Sequence, residues 1–209
     1  MSARHDARRL IPPALVLAIV AAAFAALLTL LADLTRERAA THRESWLTQR
    51  LDALVPPSLY DNDMLSDRIE VLAPASLGTT EPVSVYRARR AGRPTAVVLR
   101  PVAPDGYAGE IELLVAIAYD GSLLGVQVLS HNETPGLGDA FERREPEWLE
   151  RFRGRSLEDP PQRRWAVRKD GGEFDQFTGA TITARAIVKA VRSTLEFYGR
   201  NRDKLFADD

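Results

Sequence analysis

The chain contains no cysteine, only three histidines and only two methionines in 209 residues. The missing thiols exclude disulfides, thiolate zinc sites, cysteine-ligated iron–sulfur clusters, thioether-attached haem, a thiol nucleophile and lipidation on cysteine. They leave the redox compartment open. No charge of one sign dominates: 28 basic residues face 29 acidic ones, for a net charge of −1. That balance argues against nucleic acid as a partner, because nucleic-acid-binding domains carry a basic footprint. The sequence is 45% hydrophobic, which excludes a disordered chain. Its length admits one modest domain with one appended element.

Long apolar runs are also absent, with one exception. Ile11 to Ala32 reads IPPALVLAIVAAAFAALLTLLA and holds no charged residue. At ~1.5 Å per residue a helix of this length covers roughly 30 Å, the hydrocarbon thickness of a bilayer. It is apolar on every side, so it is not a surface amphipathic helix. Pro12 and Pro13 fall in its first turn, where missing N–H donors cost little. The run is too long for the core of a cleaved signal peptide, and Leu30-Leu31-Ala32-Asp33-Leu34 is a poor cleavage site. An uncleaved anchor is expected, over the alternative of a secreted protein with its signal removed. Arg4, Arg8 and Arg9 precede the span and orient the N-terminus to the cytoplasm. Against Asp6 they give this tip a charge of +2, which leaves −3 for the rest.

The expected layout is a cytoplasmic tip over 1–10, a transmembrane helix over 11–32, a juxtamembrane helix and connector over 33–82, and a domain over 83–209. Trp46, Leu47, Leu51 and Leu54 are spaced for a helix that ends at Val55-Pro56-Pro57. Residues 56–82 read as a loop-rich connector. Two hairpins follow. The first runs from Val83–Arg89 through Ala91-Gly92 to Thr95–Val102. The second runs from Ile111–Tyr119 through Asp120-Gly121 to Leu123–His131. Asp-Gly between β-rich runs is a strong hairpin signal. Pro146–Phe152 reads as a short helix and Trp165-Ala166-Val167 as one more strand, with a turn at Asp170-Gly171-Gly172. A helix is predicted over Ala184 to Tyr198, stopped by Gly199. A small antiparallel sheet with flanking helices makes the domain α+β. Trp148, Phe152 and Trp165 are read as core, and the Arg143-Arg144 and Arg163-Arg164 pairs as solvated faces.

Two segments could carry chemistry. Asp175-Gln176-Phe177-Thr178-Gly179-Ala180-Thr181-Ile182-Thr183 leads into the last helix. Small residues admit another molecule to the backbone. The helix N-terminus offers free N–H donors and a positive dipole end that suits a phosphate. A plain threonine N-cap explains the same pattern. No phosphate loop or dinucleotide fingerprint is present. The second segment is Ser130-His131-Asn132-Glu133-Thr134-Pro135-Gly136-Leu137-Gly138. Its prolines and glycines shape a loop. His131 reads as structural, with no support for a metal site or a catalytic dyad.

Asp175-x-x-Thr178-Gly179-Ala180-Thr181 resembles the flavinylation motif Asp-x-x-(Ser/Thr)-Gly-Ala-(Thr/Ser). In order along the chain stand Tyr107-Ala108-Gly109, the Asp-Gly turn, His131-x-Glu133-Thr134-Pro135-Gly136-Leu137-Gly138, the Trp148-Leu149-x-x-Phe152 segment and this motif. Together, after one N-terminal span, they resemble the G subunit of the Rnf electron transport complex. The C subunit of the sodium-translocating NADH:quinone reductase is the near alternative. A non-redox single-pass binding or assembly protein is the other. The chain has Ala184 where many relatives have Ser, and Thr178 where Ser is commoner.

The resemblance implies an FMN-binding domain with FMN covalently joined through its phosphate to the Thr181 hydroxyl. Thr178, Gly179, Ala180 and Thr183 would surround the phosphate. The loop with Glu133, Thr134, Leu137 and Gly138 would pack on the flavin or its ribityl chain. Asp175, with Gly179, Ala180 and Thr181, would be recognised by a flavin transferase. The resemblance implies an electron-carrying subunit and not a complete enzyme, passing electrons between NADH and ferredoxin. Its partners would be other membrane and iron–sulfur subunits. Its place would be the bacterial inner membrane, single-pass, with the FMN domain on the periplasmic side.

Overall fold

The structure is a computed structural model. It describes residues 3–143 and 145–207, with side chains for 15–30, 45–142, 145 and 147–207. The chain forms two compact units, residues 1–49 and 50–209.

Helix α1 spans Ala3–Leu54. Within the predicted span, residues 15–30 are helical, and Leu17 and Phe24 are 71% and 63% exposed. Among the described residues no helix is long and apolar enough to cross a membrane. The ends of the predicted span, 11–14 and 31–32, lie outside the described side chains.

The second unit is built on an antiparallel sheet. Its strands are β1 (Arg68–Val71), β2 (Val83–Arg90), β3 (Arg93–Leu99), β4 (Val102–Ala103), β5 (Ile111–Ala118) and β6 (Leu123–His131). β1 pairs β2, β2 pairs β3, and β3 and β4 share one edge of β5, whose other edge pairs β6. Both predicted hairpins form. Ala91 and Gly92 turn the first with φ of +49° and +74°, the paired positive values of a two-residue hairpin turn. The meander is larger than the four predicted strands. Residues 56–82, read as loop, supply β1 and a short helix α2 (Pro74–Leu77). β1 holds one fully apolar pair of positions, Ile69 and Val71, between charged ones, which is too short a pattern to announce itself.

Ala96 to Leu99 and Leu113 to Ile117 are buried without interruption. Such runs belong to strands covered on both faces. On one face Val97, Leu99, Leu113, Val115 and Ile117 join a core with helix α4 (Thr181–Leu205) and most of the aromatic residues. The other face buries Val98, Leu114 and Ala116, and Leu54 covers it at Gly125, where a Cβ would stand 2.9 Å from Leu54 Cδ2.

Past the sheet the chain makes α3 (Ala140–Arg143) and a series of 3-10 turns. Pro146–Phe152 is such a turn, with Trp148 and Phe152 buried as expected of core. Trp165 is buried too, but Trp165–Val167 is no strand. Only Val167 bridges to Phe174, because the main chain of Trp165 folds back on the Gln162–Arg164 turn. Gly199 does not stop α4. Leu205, seven residues after Tyr198, continues the buried stripe and draws the helix on.

Candidate functional site

The segment before α4 makes a tight turn. The Ala180 N–H donates to the Phe177 carbonyl at 3.1 Å, and Gly179 takes φ of +85°, a conformation L side chains avoid. Phe177 is buried below, while Thr178 and Gly179 face outward. Thr181 is the first residue of α4. The capping position falls on Ala180, with no side-chain cap and no acidic residue in the first turn. The threonine cap that the sequence allowed is therefore not formed. The Thr181 hydroxyl is half-buried and has no hydrogen-bond partner among the described residues.

Thr183, two residues on, is fully buried and its hydroxyl is engaged. It donates to Glu133 Oε2 at 2.6 Å. Glu133 Oε1 accepts from the Ala108 N–H at 3.1 Å. A buried carboxylate is tolerable only when hydrogen-bonded in this way. Two glycines leave room for it. A Cβ on Gly106 would stand 2.8 Å from Glu133 Oε1, and one on Gly138 would stand 2.5 Å from Oε2. The Glu133 N–H donates to His131 Nδ1 at 3.1 Å, which leaves the ring proton on Nε2, 3.3 Å from Glu142 Oε1. His131 is thus held structurally, and no group of three potential metal ligands occurs among the described residues.

Glu133 ties together three segments: the loop before β5, the loop after β6, and the start of α4. Between them lies a half-open groove of about 290 Å³. Tyr107 comes from the first segment, Thr134, Leu137 and Gly138 from the second, and Gly179, Ala180, Ile182 and Thr183 from the third, with Glu133 at its floor. Tyr107, Leu137 and Ile182 are 67%, 46% and 44% exposed, so the rim is apolar and open to solvent. Neither Thr178 nor Thr181 lines the groove, although Thr181 stands between two residues that do. Ile182 and Tyr107 were not expected as lining. Tyr107 had a signal in Tyr107-Ala108-Gly109, whereas Ile182 read as an ordinary helix residue.

Asp175 lies away from the groove. Its carboxylate pairs with Arg151 and, at 3.0 Å, with Arg168. Its carbonyl accepts from Trp148 Nε1 at 2.8 Å. Beneath the motif, Phe177 packs on Trp148 with ring centroids 4.7 Å apart, and Phe174 stacks on Phe152 at 4.7 Å.

A model of the FMN-binding domain family matches residues 106–196, a stretch that holds both loops and the start of α4. Over 202 residues the chain is 43% identical to the G subunit of the ion-translocating oxidoreductase complex of Pseudomonas aeruginosa strain UCBPP-PA14, covering 97% of this chain and 94% of that one. It is 46% identical over 173 residues to the corresponding protein of Pseudoalteromonas atlantica, covering 83% and 80%. For that of Shewanella loihica the figure is 42% over 198 residues, covering 95% and 93%.

Proposed function

The chain belongs to the family of G subunits of ion-translocating oxidoreductase complexes, and on that premise we propose that it is a membrane-anchored electron-relay subunit carrying FMN on Thr181. The carrying observation is the placement of Thr181. Its hydroxyl, without a partner among the described residues, stands at the uncapped N-terminus of α4, between two groove residues, while Thr183 is committed to Glu133. A phosphodiester there gains from free backbone donors and the helix dipole, with no first-turn acid to repel it. The groove suits a flat, largely apolar ring at its Tyr107–Leu137–Ile182 rim. Bound FMN supplies one- and two-electron chemistry, and the protein supplies orientation.

Attachment needs an activated phosphate, which a flavin dinucleotide carries in its pyrophosphate. Thr181 Oγ1 would bond to the flavin-side phosphorus as the pyrophosphate P–O bond breaks. The threonine proton leaves with the nucleoside monophosphate, and no electron changes hands. A flavin transferase would hold the donor during maturation. Residues 11–32 would anchor the chain in the bacterial inner membrane. The tip 1–10 would lie in the cytoplasm and the FMN domain in the periplasm, beside other membrane and iron–sulfur subunits that link NADH and ferredoxin.

The test is co-expression of the full chain with a flavin transferase, followed by denaturing electrophoresis under ultraviolet light. Wild type is expected to fluoresce and Thr181→Ala to be dark. A band that persists in Thr181→Ala, or no band in wild type, would sink the reading.

A further inference from the structure

We propose that Asp175 acts in flavin attachment as a positioning residue, clamped between Arg151 and Arg168, and not as a side chain read by the transferase. The inference rests on the reading of Thr181 as the acceptor. Each carboxylate oxygen of Asp175 is held by a different arginine, Oδ2 by Arg151 and Oδ1 by Arg168 at 3.0 Å. The two arginines belong to separate turns, Pro146–Phe152 and Arg168–Asp170.

The backbone around Asp175 is pinned from the same two turns. Trp148 Nε1 donates to the Asp175 carbonyl at 2.8 Å. The Arg168 N–H donates to the Phe174 carbonyl at 2.7 Å, and the Lys169 N–H to Gln176 Oε1 at 3.2 Å. Phe174 and Phe177, on either side, are buried. The carboxylate therefore closes the gap between two turns that have no strand to join them. The Phe177–Ala180 turn starts two residues later and presents Thr181. A transferase reading Asp175 directly would have to displace two charge pairs from a side chain only 28% exposed. Misplacing a reacting group by about 1 Å can lower a rate roughly 10²-fold, so holding this turn matters to attachment.

The arginine side chains are 51% and 62% exposed, and a single exposed pair contributes little. The experiment therefore changes both. The full-length chain is incubated with a flavin transferase and flavin dinucleotide, and the initial rate of band fluorescence is measured. Melting temperature and the near-ultraviolet dichroism of the buried tryptophans report folding. Asp175→Asn and the pair Arg151→Ala/Arg168→Ala are each expected to lose about tenfold in rate with the tryptophan signal intact. The pair Arg151→Lys/Arg168→Lys keeps both charges and is expected to stay within about threefold of wild type.

The clamp is overturned if the alanine pair attaches flavin at the wild-type rate while Asp175→Asn does not, since the carboxylate itself is then being read. It is overturned equally if the lysine pair is no faster than the alanine pair. Either result leaves Thr181 as the acceptor. A dark wild type, or a bright Thr181→Ala, overturns that assignment and the clamp together.

Discussion

The two ends of α4 are finished in opposite ways. At the C-terminal end, basic residues gather. Arg202 and Lys204 lie in the last turn, Arg89 Nη2 donates to the Phe206 carbonyl at 3.1 Å, and Arg87 Nη1 donates to that of Ala207 at 3.1 Å. Phe206 packs on Tyr119 with centroids 5.6 Å apart. Cations on the last carbonyls are the complement a helix dipole calls for. At the N-terminal end, the capping position is an alanine and no acid stands in the first turn. The missing complement there is negative charge. The same helix thus has one end completed by its own chain and one end left ready for an anion. That asymmetry separates the part of the domain that supports from the part proposed to bind the flavin.

The largest expected effect is at the open end. Glu133→Ala removes the acceptor for the Ala108 N–H and leaves the buried Thr183 hydroxyl without its partner. Losing these two bonds and orphaning a buried group is expected to cost about 2–4 kcal/mol. Urea unfolding would show it as a lower midpoint at unchanged slope. A midpoint equal to wild type would mean that the three segments hold together without the carboxylate. Gly138→Ala should follow at about 1–3 kcal/mol, since its Cβ would come within 2.5 Å of Glu133 Oε2. Combined with Glu133→Ala, its cost should fall only in part, because Oε2 is gone but the Cβ of residue 133 stays, 2.8 Å from the new methyl carbon.

Changes at the supporting end should be smaller and blind to function. Arg89→Ala loses the bond to the Phe206 carbonyl, a 2.9 Å pair with Asp67, and the guanidinium 5.8 Å above the Phe206 ring. A cost of about 1–2 kcal/mol is expected, with flavin attachment unchanged. Reduced attachment at equal folded fraction would break the division between the ends.

The sequence carried the frame of this arrangement better than its details. Asp120-Gly121 announced β5 and β6, and the apolar stripe from Ala184 announced α4. β1 stayed hidden because four residues with two apolar positions carry too little period. The far end of α4 stayed hidden because Gly199 looks like a stop, and only burial of Leu205 and Phe206 overrides it. At the site, the motif drew attention to Gly179, Ala180 and Thr183, and the loop to Glu133, Leu137 and Gly138. What no local pattern contains is that Glu133 and Thr183, fifty residues apart, share one hydrogen bond. Nor could spacing show Asp175 facing away from the groove toward two arginines.

The smallest expected effect tests whether the open end of α4 depends on the flanking Arg185–Asp170 ion pair. Arg185 donates to both oxygens of Asp170, at 2.6 and 2.9 Å. That hydrogen-bonded guanidinium is the main reason the Asp170 carboxyl is held below its usual range. A carboxylate whose pKa is depressed by folding contributes stability above its unfolded value, about pH 4, and that contribution fades as pH falls through the lower folded value. Wild type should therefore melt slightly above Asp170→Asn at pH 7, and the two should converge below about pH 4. The pair is solvent-exposed, so screening keeps the gap small, and added salt should narrow it further. Flavin attachment should be equal in both proteins at every pH at which both are folded. A difference that follows the titration of Asp170 would mean that this ion pair shapes the open end of the helix as well as bracing it.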